Sequence, residues 1–96
     1  MERLRFEWDH GNLNKSETKH GVNIMEAESV FSDAQRIIYF DIKHSTLSEN
    51  RYIIIGKGNS ERILFCYFTL RLGKIRIIGC RRANKREQHE YETLKK

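Results

Sequence analysis

The chain has 96 residues, which is enough for one small domain and too short for two separate hydrophobic cores. Lysine and arginine number 18 against 13 aspartate and glutamate, and the net charge of +5 favours a polyanionic or acidic partner. No apolar run approaches the roughly 18 residues of a membrane helix, and the charged, alternating first residues do not read as a secretory signal. We therefore expect a cytoplasmic protein without membrane contact.

The first part of the chain predicts one short strand and two helices. Residues 4–8 alternate between apolar and polar side chains, as a short edge strand does. The polar stretch 9–19 predicts a helix that ends at Gly21. A second helix is predicted to begin at Asn23, because the pair of Asn23 and Glu26 has the spacing of a capping box.

The middle of the chain predicts four strands separated by short turn segments. The runs rich in β-branched and aromatic residues span 36–41, 51–57, 62–70 and 74–80. Short connections favour an antiparallel meander, because parallel strands need crossovers of about a dozen residues or more.

The last residues, 84–96, predict a polar helix that begins with a capping box at Asn84 and Glu87. This helix either leans on the sheet through Tyr91 and Leu94 or is loose at the chain end. The predicted architecture is one α+β domain with two N-terminal helices, a four-stranded antiparallel sheet with a possible short N-terminal edge strand, and a C-terminal helix.

Metal and thiol chemistry have little support in the sequence. The four histidines form no i, i+4 pair, and the carboxylates are dispersed, so we expect no metal site and no cofactor. Cys66 and Cys80 lack the spacing of a CxxC motif and are predicted to be free thiols in a reducing compartment.

Basic residues concentrate around the last two strands. They are Arg71, Lys74, Arg76, Arg81, Arg82, Lys85 and Arg86. Strict alternation along the last strand predicts Arg81 on the face of Ile75 and Ile77. The same alternation predicts Arg82 on the face of Arg76. Gly79 leaves a gap through which a ligand backbone could approach the sheet.

Two interpretations of this basic surface are open. Guanidinium groups beside aromatic rings such as Tyr67 suit single-stranded RNA, because the cations bind phosphates and the rings stack on bases. The alternative is a solvated basic surface over an ordinary aromatic core. His20 and Lys19 are similarly ambiguous, because they could stabilise a helix C-terminus or take part in proton transfer.

A series of motifs, in order along nearly the whole chain, resembles the BrnT family. The main ones are Phe6-Glu7-Trp8-Asp9, Lys19-His20-Gly21-Val22, Glu26-Ala27, Val30-Phe31-Ser32-Asp33, His44-Ser45, Arg51-Tyr52, Ile55-Gly56-Lys57, Phe68-Thr69-Leu70-Arg71, Ile75-Arg76-Ile77-Ile78, Arg81, Glu87 and Tyr91-Glu92. One departure is clear: the family commonly has Ile-Ser-Ala-Arg where this chain has Ile78-Gly79-Cys80-Arg81, so the serine hydroxyl is missing.

The resemblance implies a toxin of a type II toxin–antitoxin system with a RelE-like ribonuclease fold. Such a toxin would cleave RNA without a metal and inhibit translation. A BrnA-type antitoxin would neutralise it in a heterotetramer and would alone contact operator DNA. Two alternatives are a catalytically degenerate toxin that only binds its antitoxin and a plain RNA-binding module.

Within this framework the basic residues receive specific roles. The residues hypothesised to act in catalysis are Arg81, Arg71, His20, Lys19 and Thr69. Arg81 and Arg71 would hold the phosphate, and His20 is the first candidate for proton transfer. The residues expected to bind RNA are Arg51, Lys57, Arg76, Tyr67, Arg82 and Lys85.

Overall fold

Runs of isoleucine and aromatic residues build a single sheet on which three helices pack. A computed structural model describes residues 4–94, apart from the side chains at positions 10, 12 and 13. The strands are β1 (Phe6–Trp8), β2 (Ile37–Phe40), β3 (Arg51–Lys57), β4 (Ile63–Arg71) and β5 (Lys74–Arg82). The helices are α1 (His10–His20), α2 (Ile24–Ser29), which continues as a 3₁₀ turn (Val30–Ser32), and α3 (Lys85–Leu94).

The sheet is mixed and five-stranded, in the order β1-β5-β4-β3-β2. Strands β2 to β5 form the predicted antiparallel meander. The predicted edge strand exists as β1, but it pairs in parallel with β5 and aligns Phe6 with Ile75 and Trp8 with Ile77. The sheet is therefore five-stranded and mixed, and the prediction of a four-stranded antiparallel sheet is wrong in this respect. The long connection from β1 through the helices makes this parallel pairing possible.

Helix α1 protects the part of β5 that β1 leaves open. Beyond Ile77 the outer edge of β5 has no strand partner among the described residues, and the hydroxyl of Ser16 accepts a hydrogen bond from the Cys80 N–H at 3.0 Å. Ser16 is buried. The helix ends as predicted at Gly21, which has a φ of 64° that glycine adopts without strain.

Both predicted capping boxes at the later helices mark true helix starts. The side chain of Asn23 accepts from the Glu26 N–H at 2.9 Å and caps α2. At α3 the box is reciprocal: Asn84 accepts from the Glu87 N–H at 2.8 Å, and Glu87 accepts from the Asn84 N–H at 2.9 Å. Such caps satisfy N–H groups that a helix leaves without internal partners.

The sheet has two faces with separate apolar clusters. The face that we call the α1 face packs against α1 and α2 through residues such as Ile54, Cys66 and Ile77. The opposite face, which we call the α3 face, packs against α3 through residues such as Ile53 and Phe65.

The C-terminal helix is anchored by one of the two predicted apolar contacts. Tyr91 is buried, and its hydroxyl donates to Asp33 at 2.7 Å. Leu94 is 60% exposed, so its predicted burial is wrong. Along the described residues, no helix combines the length and apolar character that a membrane span requires.

A β-bulge in β5 overturns the strict alternation predicted for that strand. Gly79 aligns with Tyr67 and Ile77 with Phe68, so Ile78 is the extra residue. The bulge moves Arg81 onto the α3 face, away from Ile77. Because one residue of shift exchanges the two faces, the predicted facing of Arg81 is wrong.

Cys66 and Cys80 lie directly opposite each other on β4 and β5, with their α-carbons 4.2 Å apart. They form a disulfide. The prediction of two free thiols is therefore wrong in this structure, because the sequence spacing did not reveal the cross-strand pairing that brings the sulfurs together.

Candidate functional site

The α3 face carries rows of side chains from β3, β4 and β5, because directly paired residues of antiparallel strands share a face. One row contains Phe65 and Arg81, the next contains Tyr67 and Gly79, and a third contains Arg51, Thr69 and Arg76. Tyr67 thus lies between two rows that carry cations. This arrangement matches the predicted combination of arginine and aromatic side chains.

Arg81 is held in a fixed position on this face. Its guanidinium makes two hydrogen bonds to the Glu87 carboxylate, at 2.8 and 2.9 Å, and lies 4.2 Å above the centre of the Phe65 ring. The Glu87 side chain is 7% exposed and that of Arg81 is 30% exposed. The paired carboxylate, with a smaller contribution from Tyr67, raises the pKa of Arg81, so the cation is permanent.

Glu87 in turn stays ionised although it is buried. Burial disfavours its charge, but the hydrogen bonds from Arg81 and from the backbone of Asn84 outweigh burial and lower the pKa of the carboxyl below its ordinary value. The sequence predicts a capping role for Glu87 but no contact with Arg81. Its second role, as partner of Arg81, depends on how α3 docks on the sheet.

A pocket of about 310 Å³ joins the end of α1 to the α3 face. It is lined by Lys15, Ser16, His20, Tyr67, Ile78, Gly79, Cys80 and Arg81. Three of the predicted site residues, His20, Tyr67 and Arg81, therefore meet in one place. Gly79 contributes to the opening, because a β-carbon there would contact only the Ser16 hydroxyl, at 4.0 Å.

His20 is the last residue of α1 and is exposed. Lys19 precedes it in the last helical turn and is also exposed, but it does not line the pocket. Cations at this position stabilise the negative end of a helix, and His20 combines that placement with access to the pocket.

A histidine that sequence reasoning did not select lies against Tyr67. The His44 Nδ1 is 2.8 Å from an oxygen of Asp41, which is buried, and the His44 ring centre is 6.0 Å from that of Tyr67. The signal in the sequence was the Asp-x-x-His spacing after β2, which is meaningful only when the turn brings both side chains together.

The row next to Tyr67 carries two predicted RNA-binding arginines, both in ion pairs. Arg51 donates to Glu49 at 2.8 Å, and Arg76 lies 3.3 Å from Glu7. Between them Thr69 is buried, and its hydroxyl donates to the Asn50 carbonyl at 2.7 Å. The structure thus engages the Thr69 hydroxyl in the fold rather than presenting it to a substrate.

Arg71 lies apart from Arg81. It follows Phe65, the cross-strand partner of Arg81, by six positions on β4, which corresponds to about 20 Å along the strand. The hypothesis that both arginines hold one phosphate is therefore wrong, because neither side chain bridges that distance. Arg71 is exposed near the hairpin that joins β4 to β5.

The remaining predicted RNA-binding residues do not line the pocket that contains Arg81 and His20. Lys57 ends β3, and its backbone N–H donates to Asp33 at 2.8 Å. Arg82 pairs with Leu64 and so lies on the α1 face, whereas Lys85 is exposed at the start of α3. Within the described part of the chain, no group of three or more histidine, cysteine or acidic side chains is placed to hold a metal ion.

Comparisons with known proteins agree with the fold. The family model described as "Ribonuclease toxin, BrnT, of type II toxin-antitoxin system" matches residues 8–87. The ribonuclease toxin BrnT of Brucella abortus has a similar structure, with a TM-score of 0.65 and 20% sequence identity over 86% of this chain and 100% of that chain. None of the curated proteins matches this chain.

The chain therefore belongs to the BrnT family of ribonuclease toxins from type II toxin–antitoxin systems. Membership in such a system implies an antitoxin partner. The family described by these comparisons is the one that the ordered motifs resemble.

Proposed function

We propose that this toxin is a metal-independent endoribonuclease that binds single-stranded RNA on the α3 face and inhibits translation in the cytoplasm. The observation that carries the proposal is the pocket in which Arg81, His20 and Tyr67 meet. A permanent cation, an exposed imidazole and an accessible aromatic ring are the groups that phosphate binding, proton transfer and base stacking require.

In the proposed reaction the 2′-hydroxyl of the RNA attacks the adjacent phosphorus. Arg81 offsets the charge that grows on the phosphate oxygens, and its bonds to Glu87 keep it in position before the substrate arrives. His20 gives a proton to the leaving 5′-oxygen, and Tyr67 stacks on a neighbouring base. Lys19 adds positive charge beside His20 at the helix end.

The outlying cations would extend the contact along the RNA strand. Arg51 and Arg76 flank Thr69 in the row next to Tyr67, and Arg71 lies farther along the same face. Because Arg71 is about 20 Å from Arg81, it would bind a different phosphate of the same strand. Lys57 and Lys85 would contribute only to the general positive field.

The test is cleavage of an end-labelled RNA in the presence of EDTA by toxin freed from its antitoxin. We expect 2′,3′-cyclic or 3′-phosphate ends, and a loss of about 10²–10³-fold in rate for Arg81→Lys, which keeps the charge but not the planar fork. Arg36→Ala is the matched control, because Arg36 lines a groove on the α1 face. Wild-type protein that leaves RNA intact, with and without ribosomes, would refute the proposal.

Two observations favour a second candidate, a degenerate toxin that only binds its antitoxin. The Glu87 carboxylate already occupies Arg81, and Gly79 and Cys80 stand where the family commonly has serine and alanine. RNA that binds the α3 face without being cleaved, together with stable antitoxin binding, would favour this candidate.

We also propose that the antitoxin is of the BrnA type, that the pair forms a heterotetramer, and that only the antitoxin contacts operator DNA. An acidic or apolar antitoxin segment would cover the basic α3 face, because opposite charges complement each other there. Native mass spectrometry tests the stoichiometry, and hydrogen exchange tests the surface. A complex that leaves Arg71 and Arg81 fully accessible would contradict this placement.

A further inference from the structure

The proposed reaction requires two proton transfers, and His20 accounts for one of them. A second group must take the proton from the attacking 2′-hydroxyl. We propose that His44, oriented by Asp41, is this proton acceptor. The inference rests on the proposed ribonuclease function and adds a residue to its site.

The turn after β2 holds Asp41 rigidly. Its backbone N–H donates to the Arg51 carbonyl at 2.8 Å, and its own carbonyl accepts from the Ser45 hydroxyl at 2.7 Å. The carboxylate is buried, with 6% of its side chain exposed, and one of its oxygens lies 2.8 Å from His44 Nδ1. A buried carboxylate in a fixed turn thus determines where the imidazole lies.

This contact also selects the useful form of the imidazole. When an Asp41 oxygen accepts the hydrogen bond from Nδ1, the Nε2 atom carries the free electron pair. The His44 side chain is 51% exposed, which leaves its ring accessible to a ligand. Carboxylates orient general-base histidines in this way, and they stabilise the imidazolium that forms.

The position of His44 connects it to the pocket. Its ring meets Tyr67 edge to face, and Tyr67 also lines the pocket that contains Arg81 and His20. Titratable or charged groups near the imidazole include Asp41 from its own turn and Tyr67 from β4, with Arg81 next beyond Tyr67. Tyr39 of β2 also interacts electrostatically with Asp41. One aromatic side chain therefore contacts the dyad and the phosphate-binding arginine.

A purely structural role for the imidazole explains less. The turn is already closed by the bonds from Ser45 and from the backbone of Asp41, and none of these uses the His44 ring. The ring adds one hydrogen bond at a half-exposed position. Loss of the ring removes one hydrogen bond from the buried Asp41 carboxylate and should lower the melting temperature modestly. The loss in cleavage rate should be much larger.

In the proposed step, His44 Nε2 accepts the 2′-hydroxyl proton as the bond from O2′ to phosphorus forms. The bond from phosphorus to O5′ breaks, and the protonated His20 gives a proton to the departing oxygen. The products are a 2′,3′-cyclic phosphate and a 5′-hydroxyl end. Proton exchange with water restores both histidines, and no oxidant or metal is consumed.

The experiment is single-turnover cleavage of end-labelled RNA at saturating toxin, from about pH 5 to pH 9. The variants are His44→Ala, Asp41→Asn and, as matched control, His89→Ala, which removes an exposed histidine of α3. We expect His44→Ala to slow cleavage about 10²–10⁴-fold and to flatten the acid limb of the rate profile. Asp41→Asn should cost about 10–100-fold, as loss of an orienting partner does, and His89→Ala should cleave normally.

Binding is measured separately with a 2′-O-methyl RNA, which cannot react. Unchanged binding by His44→Ala, with the variant fully folded at the assay temperature, supports the assignment. Cleavage by His44→Ala at the rate of His89→Ala overturns it while the ribonuclease function stands. Absence of cleavage by the wild-type protein refutes the ribonuclease function and the dyad together. If Asp41→Asn unfolds, His44→Ala and His44→Gln decide the question.

Discussion

Replacing Arg81 with alanine should unfold the toxin more readily as well as impair its site. The change removes both hydrogen bonds to Glu87 and the contact of the guanidinium with the Phe65 ring. Glu87 would then be a buried carboxylate without its cation. The pair thus couples the proposed site to the docking of α3.

The size of the effect follows from the burial of the pair. Breaking a buried ion pair costs about 3–5 kcal/mol, and Arg81 is only partly buried, so about 2–3 kcal/mol applies here. Loss of the contact with Phe65 adds about 0.5–1 kcal/mol. We expect the free energy of unfolding to fall by about 2–4 kcal/mol at pH 7.

The assay is urea unfolding of wild type, Arg81→Ala, Glu87→Gln and the double variant at pH 7 and about pH 4. In Arg81→Ala burial is no longer offset by Arg81, and only the Asn84 N–H and Arg86 still favour the charged form, so the pKa of Glu87 should rise relative to that of the wild type. The deficit should therefore begin to shrink at the lower pH, because the Glu87 carboxyl of Arg81→Ala takes up a proton at a higher pH than that of the wild type. Glu87→Gln in the Arg81→Ala background should recover about 1–2 kcal/mol.

Additive effects of the two single changes would refute this reasoning, because they would show that the groups do not interact in solution. A deficit that persists unchanged at pH 4 would equally contradict the ionic origin of the coupling. The result also governs activity assays, since Arg81→Ala must be tested at a temperature where it remains folded.

Three further outcomes are expected. Glu26, Asp33 and Glu87 all have lowered pKa values, so each contributes stability above its ordinary pKa that is lost as the pH falls through the lowered value. The melting temperature should therefore decrease once the pH is lowered past about 4.5. A melting temperature that stays constant from about pH 7 to about pH 3 would contradict this. Tyr91→Phe removes the bond to Asp33 and should cost about 1–2 kcal/mol in urea unfolding, whereas a change below about 0.3 kcal/mol would show that the bond is absent in solution. Gly21→Ala should lower the free energy of unfolding by about 1–2 kcal/mol, measured by thermal unfolding, because φ is 64° at this position. A β-carbon there would meet nothing within 4 Å, so the cost comes from the backbone conformation and not from a steric clash. Gly21→Asn should therefore lose less stability than Gly21→Ala.

Much of the architecture follows from local sequence patterns. The β-branched runs and short turns of the second half predicted four paired strands, and the structure has them as β2 to β5. The Asn-x-x-Glu pairs at Asn23 and Asn84 predicted two helix starts, because capping uses groups only three residues apart. The ordered motifs indicated the BrnT family, which the family comparison confirms.

Tertiary structure decided the features that give the site its geometry. Parallel pairing of β1 with β5 joins residues about 70 positions apart, and the bulge at Ile78 places Arg81 on the α3 face. Docking of α3 pairs Arg81 with Glu87, and the turn after β2 brings His44 to Tyr67. Sequence periodicity reports which side of its own element a residue occupies. It contains no information on bulges or on the packing of distant elements, and these determine which charges and rings meet.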